Sequence, residues 1–265
     1  MFLYRKYDSN GWSKLTRKRM VVWMTPRGWI RIGIVALLVV LTATAFLNEM
    51  PSSRTWSHWS TPLTGKVIAL DAGHGGADGG AVSKDGGEIE KDLNLAIVLY
   101  LRDYLQQAGA ITLLTREGDY DLASPGTKGY SKRKTEDLKE RVERLGQKKV
   151  DLTISIHMNS IPSPRWTGAQ TFFYPSSPEN ERLAAIIQTE IRESLGNTDR
   201  IAKKAETIYL LKQLSMPTAL VEVGFLSNPQ EANLLADAQY QRKIATAIYR
   251  GILRYSSGET VKPML

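Results

Sequence analysis

The 265-residue chain contains no cysteine, only three histidines, and aromatic residues at 8%. The missing cysteine excludes disulfides and fits an exported bacterial domain that relies on its core for stability. Surplus charge is also missing from most of the chain. Residues 1–60 hold nine Lys/Arg against Asp8 and Glu49, a net of +7, whereas the remaining 205 residues hold 26 basic and 25 acidic side chains. A folded part that is nearly neutral has no basic face for nucleic acid, so the basic balance belongs to the N-terminal tail alone. No internal repeat is visible.

The one long uncharged apolar run is residues 32–47, flanked by Arg27 and Arg31 before it and Glu49 after it. Sixteen residues fall short of the roughly 20 needed to span a bilayer, but Gly28-Trp29-Ile30 extends the run if Arg31 snorkels outward. Being apolar all round, it does not read as an amphipathic core helix. The basic flank places the N-terminus in the cytoplasm and the rest outside. Ala43-Thr44-Ala45 also resembles a small-residue cleavage site, so a cleaved signal peptide competes with a retained anchor. The pre-segment of about thirty residues favours the anchor. Residues 1–31 therefore read as a cytoplasmic tail, 32–47 as anchor or signal, 48–65 as a Ser/Pro-rich linker, 66–256 as the main folded domain and 257–265 as a tail.

Across residues 66–256, short apolar runs alternate with helical periodicity. Strands are expected at 67–72, 111–115, 151–157, 169–174, 207–211 and 218–223. Helices are expected at 90–107, 131–148, 179–195 and 238–255. The 131–148 helix has an apolar stripe at Leu138, Val142 and Leu145, and its charged remainder reads as a wide solvated face. This order predicts a single α/β domain with a mostly parallel central sheet, covered by helices on both faces. Such sheets carry their sites at the C-terminal strand ends, which is where His74, His157 and Glu222 fall.

Each candidate residue has a bland explanation. His74, in Asp71-Ala72-Gly73-His74-Gly75-Gly76, could sit in a plain tight turn, although glycines at a strand end also let a metal or substrate approach closely. Glu90 could be a first-turn acid favoured by the helix dipole. His157, in Ser155-Ile156-His157-Met158-Asn159, could be a core histidine. Glu222 is harder to dismiss: a carboxylate inside the apolar run 218–226 must be neutralised, paired or bound, since its desolvation costs several kcal/mol. Two histidines and a carboxylate form a common catalytic zinc set with a fourth position left for water. The separations of 16 and 67 residues between His74, Glu90 and His157 match no local motif.

Six blocks carry a resemblance. They are residues 73–81, Glu90-Lys91-Asp92-Leu93-Asn94-Leu95, Leu113-Leu114-Thr115-Arg116, residues 155–160, Gly168-Ala169-Gln170-Thr171-Phe172, and residues 221–228. In order and context they resemble the zinc-dependent N-acetylmuramoyl-L-alanine amidases of the Amidase_3 type. The resemblance implies zinc as cofactor with His74, Glu90 and His157 as its ligands, and Glu222 as catalytic acid/base. It further implies hydrolysis of the amide joining the lactyl group of N-acetylmuramic acid to L-Ala in peptidoglycan. The family pattern often has Pro where this chain has Gly79, a change that loosens the loop without touching a ligand. The anchor and the stretches 129–134 and 161–166 resemble the sporulation- and germination-specific branch, implying spore cortex as substrate and a role in muramic δ-lactam formation. Expected partners are glycan strands, stem peptides and the membrane, with an accessory protein as a further possibility. The rival readings are a zinc carboxypeptidase-like peptidase and a catalytically inactive wall-binding homologue. The expected location is extracytoplasmic, at the membrane and facing the wall.

Overall fold

The computed structural model describes residues 4–7, 13–16, 25–49, 61–146 and 149–260. The chain divides into two units, residues 1–58 and 59–265. In the first, β1 (Tyr4–Tyr7) and β2 (Ser13–Thr16) pair antiparallel, and α1 runs over Pro26–Glu49. Pro26 opens α1 where its missing N–H is no loss, and Thr25 Oγ1 accepts from Gly28 N at 3.3 Å. The stretch Pro26–Thr44 has a mean hydropathy of 1.6 and is long and apolar enough to cross a membrane. It takes in the start of the predicted run and extends it backward across Arg27 and Arg31. The Thr42 and Thr44 hydroxyls donate to the Leu38 and Val40 carbonyls at 2.9 Å, so neither hydroxyl is left bare on the apolar surface. The Ala45 side chain and most of the predicted linker lie outside the described residues.

The second unit contains, in chain order, β3 (Val67–Ala72), α2 (Glu90–Gln107), β4 (Ile111–Leu114), α3 (Tyr130–Leu145), β5 (Leu152–Asn159), β6 (Gln170–Phe173), α4 (Pro178–Leu195), β7 (Lys203–Lys204), α5 (Tyr209–Gln213), β8 (Thr218–Phe225), α6 (Pro229–Ala236) and α7 (Ala238–Ser256). Six strands form one sheet in the order β4-β3-β5-β8-β6-β7. The first four run parallel, while β6 is antiparallel to β8 and carries β7 parallel to itself. The sheet is mostly parallel, as expected, with one reversed edge. Leu63, in the compositional linker, is fully buried, and its N–H donates to Ala108 O at 3.0 Å.

Strand alternation divides the interior in two. Ile68, Leu70 and Ala72 of β3, Ile154, Ile156 and Met158 of β5, and Ala219, Val221 and Val223 of β8 join one large core with α2, α4 and α7. Ala69 points the other way, into a small core with Leu145 of α3 and with Leu210 and Leu214. The period of two places Asp71, Ser155, His157 and Glu222 on the side opposite the large core. That face is thinly covered by α3 and the five-residue α5, and it is where polar side chains have room.

Two expectations are corrected. Residues 207–211 are not a strand: α5 occupies Tyr209–Gln213, with Leu210 and Leu211 buried. A five-residue apolar run has too little length to reveal its period, and packing against Leu145 decided the outcome. The face of α3 is also less solvated than its composition suggests, because Asp137 and Arg141 are buried at 4% and 2% exposure.

Candidate active site

The chain leaves β3 at Ala72 and turns sharply, placing His74 at φ +63°, a left-handed conformation that costs a non-glycine residue of order 1 kcal/mol. Two buried arginines hold this turn by its carbonyls. Arg116 donates from Nε to Ala72 O at 2.9 Å and from Nη2 to Gly73 O at 3.0 Å. Arg141 donates from Nη1 to Ala72 O at 2.7 Å and from Nη2 to His74 O at 2.5 Å. The charge of Arg141 is matched by Asp71 and Asp137, at 2.6 and 2.7 Å. Burial pushes the Asp71 carboxyl up, but Arg141, His157 and the Ser155 hydroxyl outweigh it and hold it below its ordinary value.

Gly73 and Gly80 are required by space. A Cβ on Gly73 would lie 2.2 Å from the His157 ring, and one on Gly80 would meet Glu90 Oε2 at 2.6 Å and the His74 ring at 2.7 Å. The turn therefore closes directly over the histidines, whose ring centroids are 5.0 Å apart.

Glu90 begins α2 but turns back into the sheet and is 3% exposed. Its Oε2 accepts from Ala81 N at 2.8 Å, and its Oε1 accepts from Met158 N at 3.0 Å. The same Oε1 lies 3.2 Å from His74 Nε2 and 3.1 Å from His157 Nδ1. Helix-dipole stabilisation alone does not account for such a side chain, since it is buried and aimed at two histidines. Burial raises the Glu90 carboxyl, but the bonds and charges of His157 and His74 prevail and hold it well below the carboxylate range. Burial likewise lowers His74, yet Asp78 and Glu90 together push it up to about 9. Asp78 Oδ2 lies 2.9 Å from His74 Nδ1, but outside hydrogen-bond geometry, so this buried nitrogen has no hydrogen-bonded acceptor.

One atom from each of His74, Glu90 and His157 lies within 4.8 Å of the others, a grouping that could hold a metal ion. The donor set fits zinc: two imidazoles and one carboxylate suit its borderline softness and leave a coordination position open. The electrostatics fit as well, because the carboxylates that retain a proton on His74 also favour a cation. Asp78, opposite the other ring nitrogen, is of the type that orients metal-bound histidines.

Glu222 stands beside this group and outside it. In the sheet it is in register with His157 on β5 and with Gln170 on β6. Its Oε2 is buried with no hydrogen-bond partner. Burial raises its carboxyl to about 7, with Glu90 adding to the rise and the histidines opposing it. A carboxyl poised near neutrality can both accept and donate a proton. His74, His157 and Glu222 open into one cleft of about 430 Å³, with Lys134, Tyr209 and Leu220 also on its walls.

The four residues singled out in the sequence thus converge, three as a donor group and Glu222 alongside. Asp78 and Arg116 lay inside the six blocks, and Asp71 just before the first of them, but none had an assigned role. Lys134 lay inside the stretch 129–134 without an individual role, and Arg141 was passed over. The signal for Arg141 was present in Asp71, a carboxylate in an apolar strand that needs a cation just as Glu222 does.

The N-acetylmuramoyl-L-alanine amidase (Amidase_3) family model matches residues 68–254. The germination-specific N-acetylmuramoyl-L-alanine amidase of Bacillus subtilis is 50% identical over 224 residues, covering 84% of this chain and 92% of that one. The CwlD amidase of Clostridioides difficile, solved in complex with the GerS lipoprotein, superposes with a TM-score of 0.72 at 41% identity, over 73% of this chain and 100% of that one. The amidase AmiC2 of Nostoc punctiforme gives a TM-score of 0.62 at 31% identity, over 72% and 96%. The matched region takes in all four candidate residues and nearly the whole sheet beneath them, and on that evidence this chain belongs to the N-acetylmuramoyl-L-alanine amidase family.

Proposed function

We propose that the chain is a zinc-dependent N-acetylmuramoyl-L-alanine amidase that hydrolyses the amide between the lactyl group of N-acetylmuramic acid and L-Ala. His74, Glu90 and His157 would hold zinc, and Glu222 is the acid/base. The observation that carries this reading is the pairing of a convergent donor group with a carboxylate whose Oε2 is buried and unpartnered in the same cleft. Zinc bound there supplies Lewis acidity toward water and toward the scissile carbonyl. Glu222 takes a proton from the attacking water as the new C–O bond forms at the lactyl carbonyl carbon. It then delivers that proton to the L-Ala nitrogen as the C–N bond breaks, so the products are a free lactyl carboxylate and a free amine. Arg141 and Arg116 keep the His74 turn fixed throughout.

Spore-cortex peptidoglycan is the favoured substrate, supported by the 50% identity to a relative named as germination-specific. An accessory lipoprotein is a reasonable partner, since the C. difficile CwlD amidase was solved with one. The apolar helix Pro26–Thr44 supports an extracytoplasmic enzyme tied to the membrane. Incubation with peptidoglycan, with and without a zinc chelator, tests the reading. Release of stem peptides beginning with L-Ala, abolished by chelation, is expected. Free C-terminal amino acids would instead indicate a carboxypeptidase, and no product would indicate a binding homologue.

A further inference from the structure

The cleft has two unlike walls. The α5 side presents Thr207, Ile208, Tyr209 and Leu210, with no acidic or basic side chain among them, whereas α3 brings two cations, Lys134 and Arg141, and one carboxylate, Asp137, which is paired to Arg141. Arg141 is sealed, with its side chain 2% exposed and its donors taken by Asp71, Asp137, Ala72 O and His74 O. Lys134 differs on both counts. Its side chain is 40% exposed, and its one ion pair among the described residues runs from Nζ to Asp78 Oδ2 at 3.0 Å.

Asp78 does not depend on that pair. Its Oδ1 accepts from Tyr130 OH at 2.9 Å and from Gly80 N at 3.1 Å, and its Oδ2 faces His74 Nδ1 at 2.9 Å. An incoming anion can therefore share Lys134 without leaving Asp78 buried and unpartnered. Burial lowers the Lys134 ammonium, but Asp78 prevails and holds it above its ordinary value, so it stays charged at neutral pH.

We propose that Lys134 is a specificity-determining residue that pairs with a free carboxylate on the peptide side of the substrate, on the residue that follows L-Ala. This rests on the amidase reading above. Lys134 is one carboxylate removed from a zinc-ligand histidine, so an anion bound to it belongs to the part of the substrate next to the scissile bond. On the muramyl side the lactyl carboxyl is consumed in the amide being cut, which leaves the peptide to supply the charge. The ligand class is thus a short acidic peptide, lying between the Lys134 wall and the Tyr209 wall.

The test uses the full chain, zinc-loaded, and two muramoyl peptides that differ only in a carboxylate or a carboxamide on the residue after L-Ala. The native enzyme should prefer the carboxylate. Lys134→Met should raise KM for that substrate about tenfold while leaving kcat within about twofold, and should leave the carboxamide substrate unaffected. Lys134→Arg should keep the preference. Equal losses on both substrates, or loss of zinc from Lys134→Met, would show Lys134 acting only through Asp78 and His74, and the pairing would be overturned. A native enzyme indifferent to the two substrates also overturns it. If the native enzyme releases an L-Ala amine from neither, the amidase reading itself has failed and the pairing falls with it.

Discussion

Glu222→Gln separates stability from catalysis at one atom. In the metal-free protein the Glu222 carboxyl titrates at about 7 instead of its ordinary 4.5, because burial disfavours the charge. A raised value means that its contribution to stability is fully present below about pH 4.5 and is lost as pH rises through about 7. A displacement of that size corresponds to at most about 3.5 kcal/mol, at about 1.4 kcal/mol per unit. Glutamine has the same shape and cannot ionise. Chelator-treated Glu222→Gln should therefore match the native chain in urea denaturation near pH 4.5 and exceed it by up to about 3.5 kcal/mol near pH 8.5. The same substitution should keep zinc and lower the amidase rate at least about 10²-fold, the scale of a general acid/base. Zinc should narrow the stability gap, because a nearby cation favours the carboxylate. Equal stability at both pH values would mean the carboxylate is not desolvated. Near-native turnover would refute the acid/base role, and loss of zinc would make Glu222 a ligand.

Zinc content tests the donor group: His74→Ala and His157→Ala should each abolish stoichiometric metal by atomic emission, and full occupancy in both would remove these residues from the site. Gly73→Ala should displace the His157 ring and weaken zinc binding by about 10-fold or more with far-UV circular dichroism unchanged; native affinity would show that the ring is not clamped by the turn. Arg141→Met should cost about 3–5 kcal/mol in chemical denaturation, because it strands Asp71 and Asp137 as buried charges. A loss under about 1 kcal/mol would mean the network is hydrated. N-terminal sequencing of protein recovered from cells should find the Pro26–Thr44 stretch still attached; a mature form beginning just after Ala45 would replace the anchor with a signal peptide.

The legible parts of the fold were those whose pattern is local. The stripe of α2 and the apolar run of β3 are each complete within one segment, and the structure draws both with the expected bounds. The parts that were missed depend on distant partners. The direction of β6 follows from its pairing with β8, some fifty residues further on, and the helical state of Tyr209–Gln213 follows from Leu145 beneath it. Short α6 escaped notice although it carries plain punctuation: Asn228 accepts from Gln230 N and Glu231 N, with Pro229 at the first helical position.

The site shows the same division between local pattern and distant partner. Asp71 and Glu222 read alike in sequence, each a carboxylate in an apolar strand on the same side of the sheet. The structure separates them by what reaches each one. Asp71 receives Arg141 from 70 positions away, with Thr115 and Ser155 hydroxyls beside it, and is held below its ordinary value. Glu222 receives no hydrogen bond at Oε2 and is raised to about 7. A carboxylate that the fold has neutralised is part of its architecture. One that the fold has buried and left unneutralised is a standing cost, and an enzyme that must move a proton at neutral pH is the reading that gives that cost a use. Pattern within a strand cannot distinguish the two cases, because the deciding residue lies on a helix whose charged face looked like ordinary surface.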